Sequence, residues 1–242
     1  MDTVLLVFAG ALLTALATGL GALPFAFVRS VSTRTIAYSN ALASGLMLGA
    51  SFGLVAEGTQ FGAVQTILGG MAGVAFILLT ERVLRARDIQ FGEVHGDGAR
   101  SMALILIVMT VHSFAEGVAV GVSFGGSMSL ALLIVVAIAV HNIPEGIAIS
   151  AVLRPRGVSV AGCAGWSIAS SLPQPIMAVP AFLAVGAFAP LLPYGIGFAA
   201  GAMVFMVFEE LLPEAYERGR KAGVALLAAL TLVGMMVFQQ WL

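Results

Sequence analysis

Two stretches of the chain carry the same chemistry. His112-Ser-Phe-Ala-Glu116-Gly and His141-Asn-Ile-Pro-Glu145-Gly each place an imidazole and a carboxylate four residues apart. In an α-helix that spacing stacks both side chains on one face, about one turn apart. Two neutral imidazoles and two carboxylates form a donor set suited to Zn²⁺ and neighbouring divalent transition metals, whereas Mg²⁺ and Ca²⁺ prefer shells made of oxygen alone. Charge balance agrees, because Glu116 and Glu145 together supply about two negative charges for one divalent ion. The plainer alternative, two histidines hydrogen-bonded across packed helices, explains a single motif better than a duplicated one.

The elements that hold these residues are membrane helices. Of the 242 residues, 60% are hydrophobic and 10% charged, against about 25% charged in average soluble domains. Runs of about 20 apolar residues, enough to cross about 30 Å of hydrocarbon, recur along the whole chain. Charged and Gly/Pro-rich points divide it into eight spans, about 3–28, 36–56, 62–81, 101–122, 129–152, 158–185, 191–212 and 221–241, within one polytopic domain, 1–242. All 11 Lys and Arg residues then fall in alternate connections. By the retention of basic residues on the cytoplasmic side, this predicts an orientation with both termini outside. The stretch before the first apolar run has an acidic residue and no basic one, so it reads as a first span and not as a cleavable signal. One polar connection of some length, about 82–100, faces the cytoplasm.

At about 1.5 Å per residue, His112 lies roughly 16 Å from the inner end of its span and His141 at a similar depth from the outer end of the next. Four ionisable groups are therefore expected near the bilayer centre, where an unpaired carboxylate costs several kcal/mol and such groups pair, line a polar path or bind an ion. Because neighbouring spans are antiparallel, the two motifs are related by a pseudo-two-fold axis near the membrane plane, the arrangement in which many transporters bind substrate.

Other positions admit two readings each. Pro144 frees the carbonyl of Val140 beside the site, or is an ordinary membrane kink. Glu57, at the outer end of the second span, either gathers cations at an entrance or marks the interface, and the interface is the reading expected. Glu209 and Glu210, inside the last turns of the seventh span, form either a cytoplasmic release station for a cation or an interfacially solvated pair. His95 with Glu93 and Asp97 reads as a polar loop more than as a metal site. Cys163 is alone, so no intrachain disulfide is possible, and it reads as packing.

The paired motifs, together with Ala43-Ser-Gly-Leu-Met47, Ser171-Leu-Pro-Gln-Pro175 and Glu209-Glu-Leu-Leu-Pro-Glu214, resemble the ZIP (Zrt/Irt-like protein) family of divalent metal transporters, in particular its bacterial branch. The resemblance covers essentially the whole chain. It implies an all-α integral membrane fold of eight helices in a 3+2+3 arrangement with inverted repeats and both termini outside, assembled as a homodimer in a multi-pass membrane setting such as the bacterial inner membrane. It further implies Zn²⁺, and in some members Fe²⁺, Mn²⁺ or Cd²⁺, moving toward the cytoplasm as substrate. The mechanism implied is elevator-like, with spans one, four, five and six moving against two, three, seven and eight.

By position, the resemblance implies a primary site of Met47, His112, Glu116, His141 and Glu145. A second metal position would share Glu116 and Glu145 and add Ser113, Asn142 and Gln174. Close relatives place carboxylates where this chain has Asn142 and Gln174. Two divalent ions would bring about four positive charges against two negative ones in a low-dielectric site, so one tightly held metal is expected.

Partners are therefore the lipid bilayer and metal ions; no nucleic acid and no organic cofactor are expected. The absence of a nucleotide-binding Gly-rich loop argues against ATP-driven pumping. The rival class is a membrane metalloenzyme or haem protein built on the same cluster. The chain lacks His-Glu-x-x-His and Glu-x-x-His pairs, and haem would leave both glutamates unexplained. A gated channel would use the same ligands.

Overall fold

The computed structural model describes residues 3–27, 32–86, 90–91, 94–126 and 128–240. The chain is an all-α membrane protein. Six stretches are long and apolar enough to cross a bilayer among the described residues: Thr3–Phe27, Ile36–Leu84, Asp97–Gly125, Ile134–Arg156, Val185–Arg218 and Lys221–Gln239. Their outward faces carry large apolar side chains such as Leu13, Ile67, Leu79, Leu226 and Leu230, as expected where lipid replaces water.

The helices are α1 (Thr3–Thr18), continued as a 3₁₀ turn over Gly19–Phe27, α2 (Thr33–Arg85), α3 (Asp97–Gly126), α4 (Met128–Leu153), α5 (Val160–Ser171), α6 (Pro173–Leu183), α7 (Val185–Phe188), α8 (Leu192–Met206), α9 (Leu212–Arg218) and α10 (Lys221–Gln239). Two of them depart from the expected division. The spans expected at 36–56 and 62–81 run into one another as α2, which leaves helical geometry at Gly62, with φ 167° and ψ 104°. The chain turns back there: a Cβ built on Gly58 would lie 2.8 Å from Thr66 Oγ1, whereas eight residues of straight helix would separate them by about 12 Å. The stretch expected at 158–185 is broken at Leu172, because Pro173 and Pro175 lack amide hydrogens. α5 and α6, of 12 and 11 residues, are each too short to span alone.

Pro144 does not interrupt α4, which is continuous through it. The polar connection is not all loop: β1 (Gln90–Phe91) and β2 (Val94–His95) pair antiparallel, Gln90 opposite His95. Asp88 and Glu93 lie outside the described residues.

Close backbone approach sorts the helices into two groups. In the first, a Cβ on Gly146 of α4 would lie 1.8 Å from the Thr18 carbonyl of α1, and one on Gly121 of α3 would lie 2.2 Å from the Ala178 carbonyl of α6. In the second, a Cβ on Gly69 of α2 would lie 2.1 Å from the Tyr194 carbonyl of α8, and one on Gly45 would lie 2.3 Å from the Ala228 carbonyl of α10. Small residues permit such seams because membrane helices associate through van der Waals packing and not through exclusion of water. Among the described glycines, none brings the backbone of one group this close to the other's. Gly195 of α8 faces Ala115 of α3 at an ordinary 3.6 Å.

Candidate metal centre

α3 carries His112 and Glu116; α4 carries His141 and Glu145. Each pair shares a helix face, and the two faces meet. His112 Nε2 lies 2.7 Å from Glu145 Oε1 and 3.6 Å from Glu116 Oε1, and His141 Nε2 lies 3.3 Å from Glu145 Oε1. The imidazole centroids are 6.3 Å apart. One donor atom from each residue falls within 4.8 Å of all the others. Glu145 thus stands between the two histidines, a relationship that the i, i+4 spacing within each motif does not contain.

The cluster is buried: His112 is fully inaccessible, Glu116 and Glu145 nearly so. Yet His112 Nδ1 and Nε2, His141 Nε2 and Glu145 Oε1 have no well-directed hydrogen-bond partner. Buried polar atoms in native proteins are almost always satisfied. Unsatisfied atoms on three residues of one cluster, two imidazoles and a carboxylate, are what a divalent cation with N/O ligands requires. Mutual repulsion of Glu116 and Glu145 in a low dielectric calls for a positive charge between them.

The other expected residues are placed as follows. Met47 of α2 is buried and lines a small pocket together with Pro144, Glu145 and Met203. It approaches the cluster from the second helix group. Ser113 is buried with its hydroxyl unpartnered. Gln174 and Asn142 belong to a hydrogen-bond network that joins Thr14 to Glu116, with Asn142 Oδ1 left without a partner. Gln174 Nε2 donates to Glu116 Oε2 through a short hydrogen bond. Gln174 Oε1 accepts from Thr14 Oγ1 at 2.6 Å and from Asn142 Nδ2 at 3.3 Å, and Asn142 Nδ2 also donates to the Thr14 carbonyl at 2.8 Å. The amide therefore presents N–H, not oxygen, to Glu116.

Glu209 and Glu210 are not brought together as a pair. They lie in a π-helical turn, Val207–Leu211, between α8 and α9, a distortion frequent at functional sites. Glu209 is exposed, whereas Glu210 is buried and bound by Arg100 and Ser101. Glu57 is not merely interfacial: it lines a cavity of about 780 Å³ that also reaches His112, Glu116 and His141. Sequence reasoning named no contact for Thr14, Arg100, Arg156 or Glu214. Each acts through a partner more than 50 residues away, which spacing does not show. Cys163 is buried, as its packing role requires.

A membrane bundle with duplicated His/Glu pairs that could hold a metal ion, buried at the meeting of two helix groups, defines a polytopic metal-handling membrane protein. Residues 85–238 match the family described as ZIP zinc transporter, and the chain belongs to that family. It is 32% identical over 222 residues to the zinc transporter GufA of Myxococcus xanthus, covering 86% of this chain and 87% of GufA. It is 34% identical over 235 residues to the zinc transporter ZIPB of Bordetella bronchiseptica, covering 90% and 75%. An Arabidopsis thaliana protein to which zinc transport is provisionally ascribed is 47% identical over 229 residues, 91% of this chain; the chain spans only 36% of that relative's length.

Proposed function

We propose that this chain carries a divalent transition metal, Zn²⁺ foremost, across a membrane toward the cytoplasm, through one site formed by His112, Glu116, His141 and Glu145 with Met47 as a soft fifth donor. The observation that carries the reading is the convergence of four donor atoms within 4.8 Å, several of them unsatisfied, at the interface of two helix groups. Access supports it, since the cavity that holds Glu57 at its wall reaches three of the four residues. Fe²⁺, Mn²⁺ and Cd²⁺ suit the same donors.

Movement is elevator-like in this reading. The group of α1, α3, α4, α5 and α6 carries the four main ligands and slides against the group of α2, α8 and α10. Support comes from the seams: each group is closed by glycine-mediated backbone contact, and no described glycine makes such a contact from one group to the other. The reading also counts eight crossings in a 3+2+3 order, with the break at Gly62 dividing α2 and the break at Leu172 falling within one crossing. Both termini lie outside, two copies form a homodimer, and a bacterial inner membrane is the setting.

One metal is held at a time. Gln174 supports this, because its N–H₂ faces Glu116 and its oxygen is already used by two donors. Ser113 and Asn142 contribute at most a weak second position, and Glu210, with Glu209 near it, belongs to the release path. An enzyme on the same cluster fits less well than a carrier, since membership in a transporter family accounts for the site without a reaction.

Proteoliposomes loaded with a zinc-sensing dye test the proposal. Saturable Zn²⁺ entry is expected in the wild type and is lost in Glu145→Ala and His112→Ala. A wild-type protein that binds Zn²⁺ tightly but moves none would sink the transport reading.

A further inference from the structure

The two helix groups are tied together at one end by arginines. Arg100 of α3 places Nε 3.2 Å from Glu210 Oε1, and neighbouring Ser101 donates to Glu210 Oε2 at 3.2 Å. Arg156, just after α4, makes a short charged hydrogen bond to Glu214 of α9. Both arginines belong to the group that carries His112 and His141, and both glutamates to the chain running on from α8. The links therefore cross the surface that must shear if the groups slide.

The surroundings hold each link in one geometry. Arg156 is only 4% exposed and its Nη1 donates to the Val152 carbonyl at 2.7 Å, closing the end of its own helix. Glu214 accepts from Asn40 Nδ2 at 2.7 Å and pairs with Arg218 at 3.0 Å, both from its own side of the surface. Arg100 is braced by Asp97 at 2.9 Å. A guanidinium with fixed partners on two sides differs from a loose surface pair, which contributes little; removing one partner of a buried pair leaves a charge uncompensated. The opposite end of the same surface is open, occupied by the cavity that Glu57, Gln60 and Gln239 help to line.

We infer that Arg100 and Arg156 form a latch that keeps the arginine-bearing end shut while the site faces the cavity, by occupying with tethered cations the carboxylates of Glu210 and Glu214. Sliding breaks both pairs and exposes those carboxylates to a departing metal ion, so one event opens the exit and supplies its first acidic groups. The π-helical turn beneath Glu210 gives that carboxylate a local register separate from α8. This inference rests on the transport reading above.

The test uses full-length protein in proteoliposomes with Cys163→Ala and single reporter cysteines at Ile138, which lines the cavity, or at Ala148, buried in the small pocket between the groups. Labelling by a maleimide is timed with and without Arg100→Gln plus Arg156→Gln. Loss of the latch is expected to slow labelling at 138 and speed it at 148 by about fivefold or more, and the exchange Arg156→Glu with Glu214→Arg to restore the rates. Unchanged rates in the folded double variant overturn the latch. If the arginine variants do not fold, Glu214→Gln, which keeps the side-chain shape, is read instead, and unchanged rates there overturn it equally. Zn²⁺ uptake by the wild type in the same vesicles separates the two ideas: no uptake removes the transport reading, whereas uptake with unmoved labelling removes only the latch.

Discussion

Gln174 donates its amide N–H to Glu116 Oε2 while its oxygen is held by Thr14 and Asn142. Three helices, α1, α4 and α6, thereby set the direction of a carboxylate borne by a fourth. The arrangement orients Glu116 with a neutral group, at the position where a carboxylate would instead invite a second cation. Gln174→Ala is expected to weaken metal binding about 10- to 150-fold, the worth of one charge-assisted hydrogen bond, as read by calorimetric titration of purified protein. Gln174→Glu is expected to raise the bound stoichiometry from one metal to two, measured by elemental analysis; a ratio that stays at one would count against Gln174 as the reason for a single site.

Glu145 lies between both imidazoles, so its removal disconnects the two motifs. Glu145→Gln should reduce Zn²⁺ binding by more than about 100-fold, beyond the 10- to 100-fold typical of outer partners, with helix content by circular dichroism unchanged. Retention of near-normal affinity would show that the ion is held elsewhere.

In the proposed site Met47 is the sulfur donor, brought from the other helix group. Met47→Leu conserves volume and apolarity, so folding should be unaffected. Soft thioether ligation favours soft metals, and Cd²⁺ uptake should therefore fall by a larger factor than Mn²⁺ uptake. Equal losses for both metals would reduce Met47 to packing.

The seams within and between groups make opposite predictions. A methyl group on Gly201 would meet the Gly70 carbonyl at 2.2 Å, whereas one on Gly195 would meet Ala115 at 3.6 Å. Gly201→Ala should cost about 1–3 kcal/mol or more through overpacking and lower the melting temperature in detergent, and Gly195→Ala should leave it within a degree or two. Comparable melting of the two variants would contradict the division into groups.

Acid should inhibit uptake. Metal ligation needs neutral imidazoles and ionised carboxylates, so protons compete with the ion. As external pH falls from about 8 to about 5, through the ordinary histidine range, apparent KM for Zn²⁺ should rise while the limiting rate changes less. A flat profile would mean that the ligands do not exchange protons with the outside.

The His/Glu pairs, their spacing and the membrane setting were legible in the chain, because each is a local property. A helix turns 100° per residue wherever it lies, so His112 and Glu116 share a face without any knowledge of neighbours, and an apolar run of sufficient length needs lipid whatever packs beside it. Breaks were less legible. Pro173 and Pro175 interrupt a helix that hydropathy alone draws as continuous, whereas the reversal at Gly62 falls at the expected boundary between the spans at 36–56 and 62–81.

What only the tertiary structure decided are relations between distant residues. Glu145 bridging two imidazoles, Gln174 turning its N–H and not its oxygen toward Glu116, Glu57 facing the cavity, and Glu210 taken by Arg100 while Glu209 faces outward all depend on how helices are rotated against each other. That rotation is set by which glycines meet which carbonyls across the seams, a matter of contact between surfaces far apart in the chain, and no periodicity within one helix encodes it.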